Sequence, residues 1–170
     1  VLAGSNSALC HGHSRHNYKI QNGDCLLFDF GATVNGYHSD ITRTFFVNSV
    51  SEEERNMYEV VLKANQKGRE ISKPGMSMHD LDDGVTKVLE DSAYKDFIVH
   101  KTGHGLGMDV HEDPYVMRKN FDLLEKGMII TIEPGLYKDK YLGIRVEDDV
   151  LITEEGCKSI TSFDRDLRVI

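Results

Sequence analysis

Five ionisable residues stand in apolar or glycine-rich surroundings that suit a charge poorly: Asp29 in LLFDFG, Asp40 in HSDITRT, His104 in TGHGLG, Glu133 in TIEPG and Glu147 in IRVEDDV. A buried charge needs a compensating partner. Divalent metals supply one, and Asp, Glu and His are their ligands. Four carboxylates carry −4, the charge that two divalent ions balance, and two ions with a bridging hydroxide make a hydrolytic centre. Four oxygen-type ligands and one imidazole lean toward Mn²⁺, with Co²⁺, Zn²⁺ or Fe²⁺ also able to bind. Taken singly, each position has an ordinary reading. An Asp at a strand end is usually structural, Asp148 and Asp149 beside Glu147 could be a solvated acidic run, GHGLG is a flexible loop and EPG a turn. The argument rests on all five occurring together.

The elements that must carry these residues follow from local pattern. Leu26 to Gly31 reads as a strand, VNGY as a turn with the Asn-Gly signal, and Tyr37 to Val47 as the returning strand. Asp29 and Asp40 lie 40 − 29 = 11 positions apart. On one straight strand an even separation would share a face, so the turn must restore the facing. Ser51 and Glu54 form a capping box, and Met57, Val60, Val61, Ala64, Gly68 and Ile71 recur behind it at helical spacing. This predicts a helix from Glu52 to about Ser72. KPGMS ends it, and a second helix starts near Ser77 with Met78, Leu81, Val85, Val88 and Leu89 inward. After Tyr94 the pattern returns to strands, in GMIITIEPGLY and GIRVEDDVLIT. The order is strands, two helices, strands, an α+β chain in one domain spanning 1–170. Two similar halves meeting at one polar centre would explain why both strand sets carry acids. On that reading the first half should have its own helix pair upstream of Val1, and Leu26 and Phe28, or their neighbours, would lie on a sheet face lacking helical cover.

The 170 residues suffice for one domain with a sizeable core. Hydrophobic residues at 39% and charged residues at 28% are ordinary for a soluble globular chain. A net charge of −8 argues against a nucleic-acid backbone or an anionic membrane as partner. No apolar run approaches a membrane span and no secretory signal is visible. Cys10, Cys25 and Cys157 form no CxxC pair, which points to free thiols in a reducing, cytoplasmic setting. Cys10 beside His11 invites a thiol nucleophile, but adjacency in sequence is not pairing in space.

FDFGATVNGYHSDITRTF, TGHGLGMDVHEDP, TIEPGLY and GIRVEDD together resemble the successive signatures of the Xaa-Pro aminopeptidase and prolidase branch of the pita-bread metallopeptidases. The resemblance runs from about Leu2 to Thr153. It implies a pita-bread fold, a pseudo-symmetric duplication of helices and curved antiparallel sheet. It implies that Asp29 chelates one metal, that Asp40 and Glu147 bridge the pair, and that His104 and Glu133 complete the other shell. His111 matches a histidine that contacts substrate and steadies the oxyanion. His11 matches a further active-site histidine, although HGHSRHN is one residue long against that pattern and leaves His13 and His16 as competitors. His100 matches a substrate-shell histidine, Arg145 a partner for the ligand carboxylates, and Tyr137 a site-lining group.

The implied activity is metal-assisted hydrolysis of the N-terminal bond of a peptide with proline second. Hydroxide from a shared water attacks the carbonyl, the histidines steady the oxyanion, and Glu133 shuttles a proton to the leaving nitrogen. The implied protein is a homodimer when complete. Methionine aminopeptidase shares the fold and the five ligands, but EPGLY and GIRVEDD favour the proline branch. A non-catalytic pita-bread module would have lost ligands, and here none is lost.

Overall fold

The computed structural model describes all 170 residues. The chain opens with β1 (Leu2–Ala3) and a short 3₁₀ turn (Gly4–Ala8), then runs through β2 (Cys25–Phe30), β3 (Thr33–Val34), β4 (Tyr37–His38) and β5 (Ile41–Phe46). Two helices follow, α1 (Glu52–Ile71) and α2 (Met78–Glu90). The remainder is β6 (Gly103–Gly105), β7 (Glu112–Val116), β8 (Ile129–Ile132), β9 (Gly135–Lys138), β10 (Leu142–Arg145), β11 (Asp148–Ile152), β12 (Cys157–Ser159) and β13 (Arg168–Val169). This is the α+β order that the periodicities predict.

The capping box forms as read. Glu54 N donates to Ser51 Oγ at 3.2 Å and Ser51 N donates to Glu54 Oε2 at 2.7 Å. Both helices turn their apolar stripe inward, with Met57, Val61, Ala64, Met78, Leu81, Val85 and Leu89 buried. They pack on the second sheet, ordered β12-β11-β8-β6-β7, through Ile130, Ile132, Val150 and Ile152. The first sheet is ordered β1-β2-β5-β13, and its last pair is parallel. No helix is long and apolar enough to cross a membrane.

One expected element differs. The returning strand is not continuous from Tyr37 to Val47, because Ser39 and Asp40 interrupt it between β4 and β5. Asn35 and Gly36 take the two left-handed positions of the tight turn, at φ 52° and 84°, so β3 and β4 form their own small hairpin. Below it the strands pinch together. A Cβ on Gly31 would lie 1.9 Å from Ser39 O, so only glycine permits that approach. Asp40 N is thereby released from the ladder and donates instead to Asp149 Oδ2 at 3.1 Å.

The outer face of the first sheet carries Phe28, Phe30, Ile41 and Phe45. Phe30 is 61% exposed, and Phe28 and Phe45 are half-buried around an apolar groove that Phe163 and Ile170 also line. The second sheet has α1 and α2 over its corresponding face.

Candidate dinuclear metal centre

The β2–β5 register brings Asp29 and Asp40 to one face. Asp29 pairs with Thr42 and Phe30 with Ile41, so partners sum to 29 + 42 = 30 + 41 = 71. With an odd sum, positions an odd number apart face the same way. Asp40 lies two residues before Thr42 and shares its side. The two-residue Asn35-Gly36 turn sets this register, since Thr33 pairs with His38 and Val34 with Tyr37 at the same sum of 71, so the turn does restore the facing. The second sheet delivers the rest: His104 from β6, Glu133 just past β8, and Glu147 between β10 and β11.

The ligand atoms of Asp29, Asp40 and Glu147 lie within 4.8 Å of one another, as do those of His104, Glu133 and Glu147. Glu147 is common to both triads. Asp40 also meets His104 and His111 within the same limit. All six residues line a cavity of about 610 Å³.

The charges in this cavity are poorly compensated by protein alone. Glu147 is 1% exposed, and its Oε1 has no hydrogen-bond partner. Burial, reinforced by the charges of Glu133 and Asp40, pushes its carboxyl well above the ordinary range. Burial also raises Asp40 to about 6 and Glu133 to about 7. His104 Nδ1 lies 2.9 Å from Gly105 O, which can only accept, so Nδ1 carries the ring hydrogen. Burial lowers His104 to about 4, so the ring is neutral and Nε2 presents a lone pair. That lone pair faces Glu133 Oε1 at 3.3 Å. Two acceptors aimed at each other need a proton or a cation between them. The orphaned Glu147 oxygen and this pair fit divalent ions, and the oxygen-and-imidazole donor set suits them chemically.

Arg145 is 4% exposed and organises the acids. Its Nη2 donates to Asp29 Oδ2, its Nη1 to Tyr137 Oη at 2.9 Å and its Nε to Thr42 Oγ1 at 2.9 Å. Nε also lies 3.8 Å from Glu147 Oε2. Tyr137 Oη accepts from Arg145, so its own hydrogen goes to His100 Nε2 at 3.0 Å. His100 Nδ1 donates to Lys101 O at 2.7 Å. Both ring nitrogens of His100 are thus occupied, and burial holds it neutral down to about 4. His111 is exposed, with its ring perpendicular to that of His104 at 4.1 Å. His11 lines the cavity, while His13 and His16 are exposed and not among its walls. Cys10 lines it too, but burial pushes its thiol up, which disfavours a thiolate nucleophile.

Four supporting residues escaped the sequence reading. Thr42 Oγ1 donates to Glu147 Oε2 at 2.5 Å. Thr131 Oγ1 accepts from His104 N at 3.0 Å and donates to Glu133 Oε1 at 3.3 Å. Both threonines sit two positions from a ligand, Asp40 or Glu133, so strand alternation could have found them. Asp149, raised to about 7 by burial, accepts from Asp40 N as described. Asn65 on α1 is fully buried and donates from Nδ2 to Ile132 O at 2.9 Å and Val146 O at 3.3 Å, the carbonyls just before Glu133 and Glu147. Asn65 lies four after Val61 and three before Gly68, so helical period could have put it on the inward stripe, but not named its two carbonyl partners.

A family model described as metallopeptidase family M24 matches residues 1–154. The chain is 42% identical over 167 residues to the Xaa-Pro dipeptidase of Pyrococcus furiosus, covering 98% of this chain and 48% of that one. The solved prolidase from Pyrococcus furiosus superposes with a TM-score of 0.93 at 42% identity, over 96% of this chain and 48% of that one. The X-Pro aminopeptidase from Thermotoga maritima superposes with a TM-score of 0.95 at 34% identity, over 99% of this chain and 48% of its own. The chain spans about half the length of the curated relatives it matches.

Proposed function

The chain belongs to metallopeptidase family M24 and has its pita-bread fold, and from that premise we propose that it carries the dinuclear centre of an Xaa-Pro peptidase. The substrate class is a peptide or dipeptide with proline second, as in relatives named Xaa-Pro dipeptidase. The observation that carries the reading is the pair of triads sharing Glu147, with one of its buried oxygens unpartnered. Asp29, Asp40 and Glu147 would hold one ion, and His104, Glu133 and Glu147 the other, with Asp40 close enough to both. Two divalent ions held there would supply a lowered pKa for a bound water and polarisation of the scissile carbonyl. Mn²⁺ is the metal this oxygen-rich set favours.

The chain's own residues supply the rest. Glu133, a carboxylate at the cavity wall, would take a proton from the attacking water and deliver it to the proline nitrogen as that nitrogen leaves. His111, exposed at the cavity wall, would donate a hydrogen bond to the oxyanion. Arg145 fixes Asp29 and, through Thr42, orients Glu147. Tyr137 and His100 hold the far side of Arg145 in place. His11 stands at the cavity wall near Cys10 and is assigned to the substrate side. A cytoplasmic homodimer completes the proposed reading.

The test is Mn²⁺-dependent release of the N-terminal residue from Xaa-Pro and Xaa-Pro-Yaa peptides by the full-length protein, with metal content measured in parallel. Wild type should hold two ions per chain and cleave at least one substrate. Asp40→Ala and Glu147→Ala should lose both ions and activity. A metal-replete wild type that leaves every proline peptide intact refutes the assignment.

A further inference from the structure

Asp148 follows Glu147 directly, is 0% exposed, and is the anchor of an arginine cluster that metal coordination does not require. Arg43 Nη2 donates to its Oδ1 at 2.7 Å, and Arg165 Nε donates to its Oδ2 at 2.6 Å. Arg69 Nε stands further off, 3.7 Å from Oδ2. Arg43 is 3% exposed, and all its N–H donors are engaged. Nη1 donates to Thr42 O at 2.8 Å and Glu147 O at 2.5 Å, Nε to Asp164 O at 2.9 Å, and Nη2 also to Phe163 O at 2.8 Å. Arg43 therefore grips the backbone of a metal-site threonine, the backbone of the shared carboxylate residue, and the segment near the end of the chain.

That segment, residues 160–170, lies beyond the residues the family model matches. It is held at several points. Ile160 N donates to Asp149 O at 2.8 Å, Arg165 Nη2 to Thr161 O at 3.1 Å, and Tyr58 Oη to Arg165 O at 2.9 Å. Its last residues pair with β5. Glu147 has the opposite problem. It lies in the gap between β10 and β11, so no regular ladder fixes it. Its N–H donates to Thr42 O at 3.1 Å and its carbonyl is taken by Arg43.

We propose that residues 160–170 form a strap that is a working part of the metal centre, with Arg165 and Arg43, closed on Asp148, acting as positioning residues for Glu147. The inference rests on the metal reading above. Arg165 fixes Asp148 and, through it, the guanidinium plane of Arg43. Arg43 then holds the backbone on either side of the junction where the two sheets meet. Releasing Arg165 leaves Asp148 with Arg43 and the more distant Arg69, and lets Glu147 drift from the geometry that two ions require. Partners of this kind affect metal affinity by about tenfold to a hundredfold.

The experiment is calorimetric titration of the metal-free full-length protein with Mn²⁺, alongside thermal unfolding of the metal-free form. Arg165→Met should weaken the second ion's binding by about tenfold, and Arg165→Lys, which keeps a cation at Asp148, should recover most of that loss. Val85→Ala, in the buried core of α2 and outside the strap, is the stability control. It should lower Tm while leaving Mn²⁺ affinity within about threefold of wild type, a spread under 1 kcal/mol. Should Arg165→Met not fold, Arg165→Gln carries the same comparison. Unchanged Mn²⁺ affinity in the Arg165 variant, or an equal loss in Val85→Ala at matched Tm, overturns the proposal. Wild type that takes up no Mn²⁺ overturns the metal reading itself, and the strap's role with it.

Discussion

Thr42→Val removes one oxygen and almost no volume, and its consequences can be worked from the site. The Thr42 hydroxyl is fully buried. It donates to Glu147 Oε2 at 2.5 Å and accepts from Arg145 Nε at 2.9 Å. Valine keeps the β-branched shape that suits β5 but leaves the Arg145 guanidinium and the Glu147 carboxyl each short of a partner. A hydrogen bond to a charged group contributes roughly 1.5–3 kcal/mol. Arg145 retains Tyr137 and Asp29, so most of the loss falls on Glu147, whose other oxygen is already unpartnered. Bound ions lose the carboxylate's preset orientation, so Mn²⁺ affinity should fall by about tenfold to a hundredfold, or roughly 1.4–2.8 kcal/mol. Loss of about 2 kcal/mol from the fold would lower Tm by about 4–8 °C in a chain of this size. Thr42→Ser, which keeps the hydroxyl, should stay near wild type in affinity. Titration calorimetry with Mn²⁺ and scanning calorimetry of the metal-free protein read the two quantities separately. If Thr42→Val binds both ions within threefold of wild type, the hydroxyl does not orient Glu147 and the reasoning fails.

His111→Ala should reduce kcat by about 10²–10³-fold with both ions retained, and near-normal turnover by a metal-replete variant would return His111 to an ordinary loop histidine. Asp40 at about 6 and Glu133 at about 7 hold protons that the unfolded chain has already released, so their contribution to metal-free stability is fullest near pH 4 and is lost as pH rises to about 7. Metal ions replace those protons, so Mn²⁺ affinity should climb over the same window and level off above it, with proton release visible in a pH-stat; a flat affinity from about pH 5 to 8 would contradict the raised values. His100, lowered from 6.5 to about 4 by burial, works the other way, adding stability above pH 6.5 that is lost as pH falls toward 4, so His100→Gln should flatten the acid limb of the metal-loaded Tm profile. Phe30→Ser on the open face of the first sheet should improve the solubility of the 170-residue chain expressed alone, as read by light scattering, and no change would mean that this face does not drive association.

Much of this molecule was legible in short stretches because the forces that shape them are local. Ser51 with Glu54, the stripe from Met57 to Ile71 and the Asn35-Gly36 turn each specify their structure through neighbours a few residues away. The five metal-ligand candidates stood out because each is a charge in an unwelcoming context. What the sequence could not carry was long-range pairing. The Asn35-Gly36 turn already sets the odd pairing sum that puts Asp29 and Asp40 on one face, but the pinch at Gly31, where Ser39 and Asp40 leave the ladder and Asp40 N turns to Asp149, is visible only in the fold. Helical spacing puts Asn65 on the buried stripe, but only tertiary structure brings it the two carbonyls, 67 and 81 positions away, that it holds. The same holds for Arg43, whose partners lie more than 100 positions distant apart from the adjacent Thr42. Propensity and periodicity decay within a few residues. The charge balance of a buried site is settled by whichever groups the packed sheets bring together, and that is a property of the whole fold.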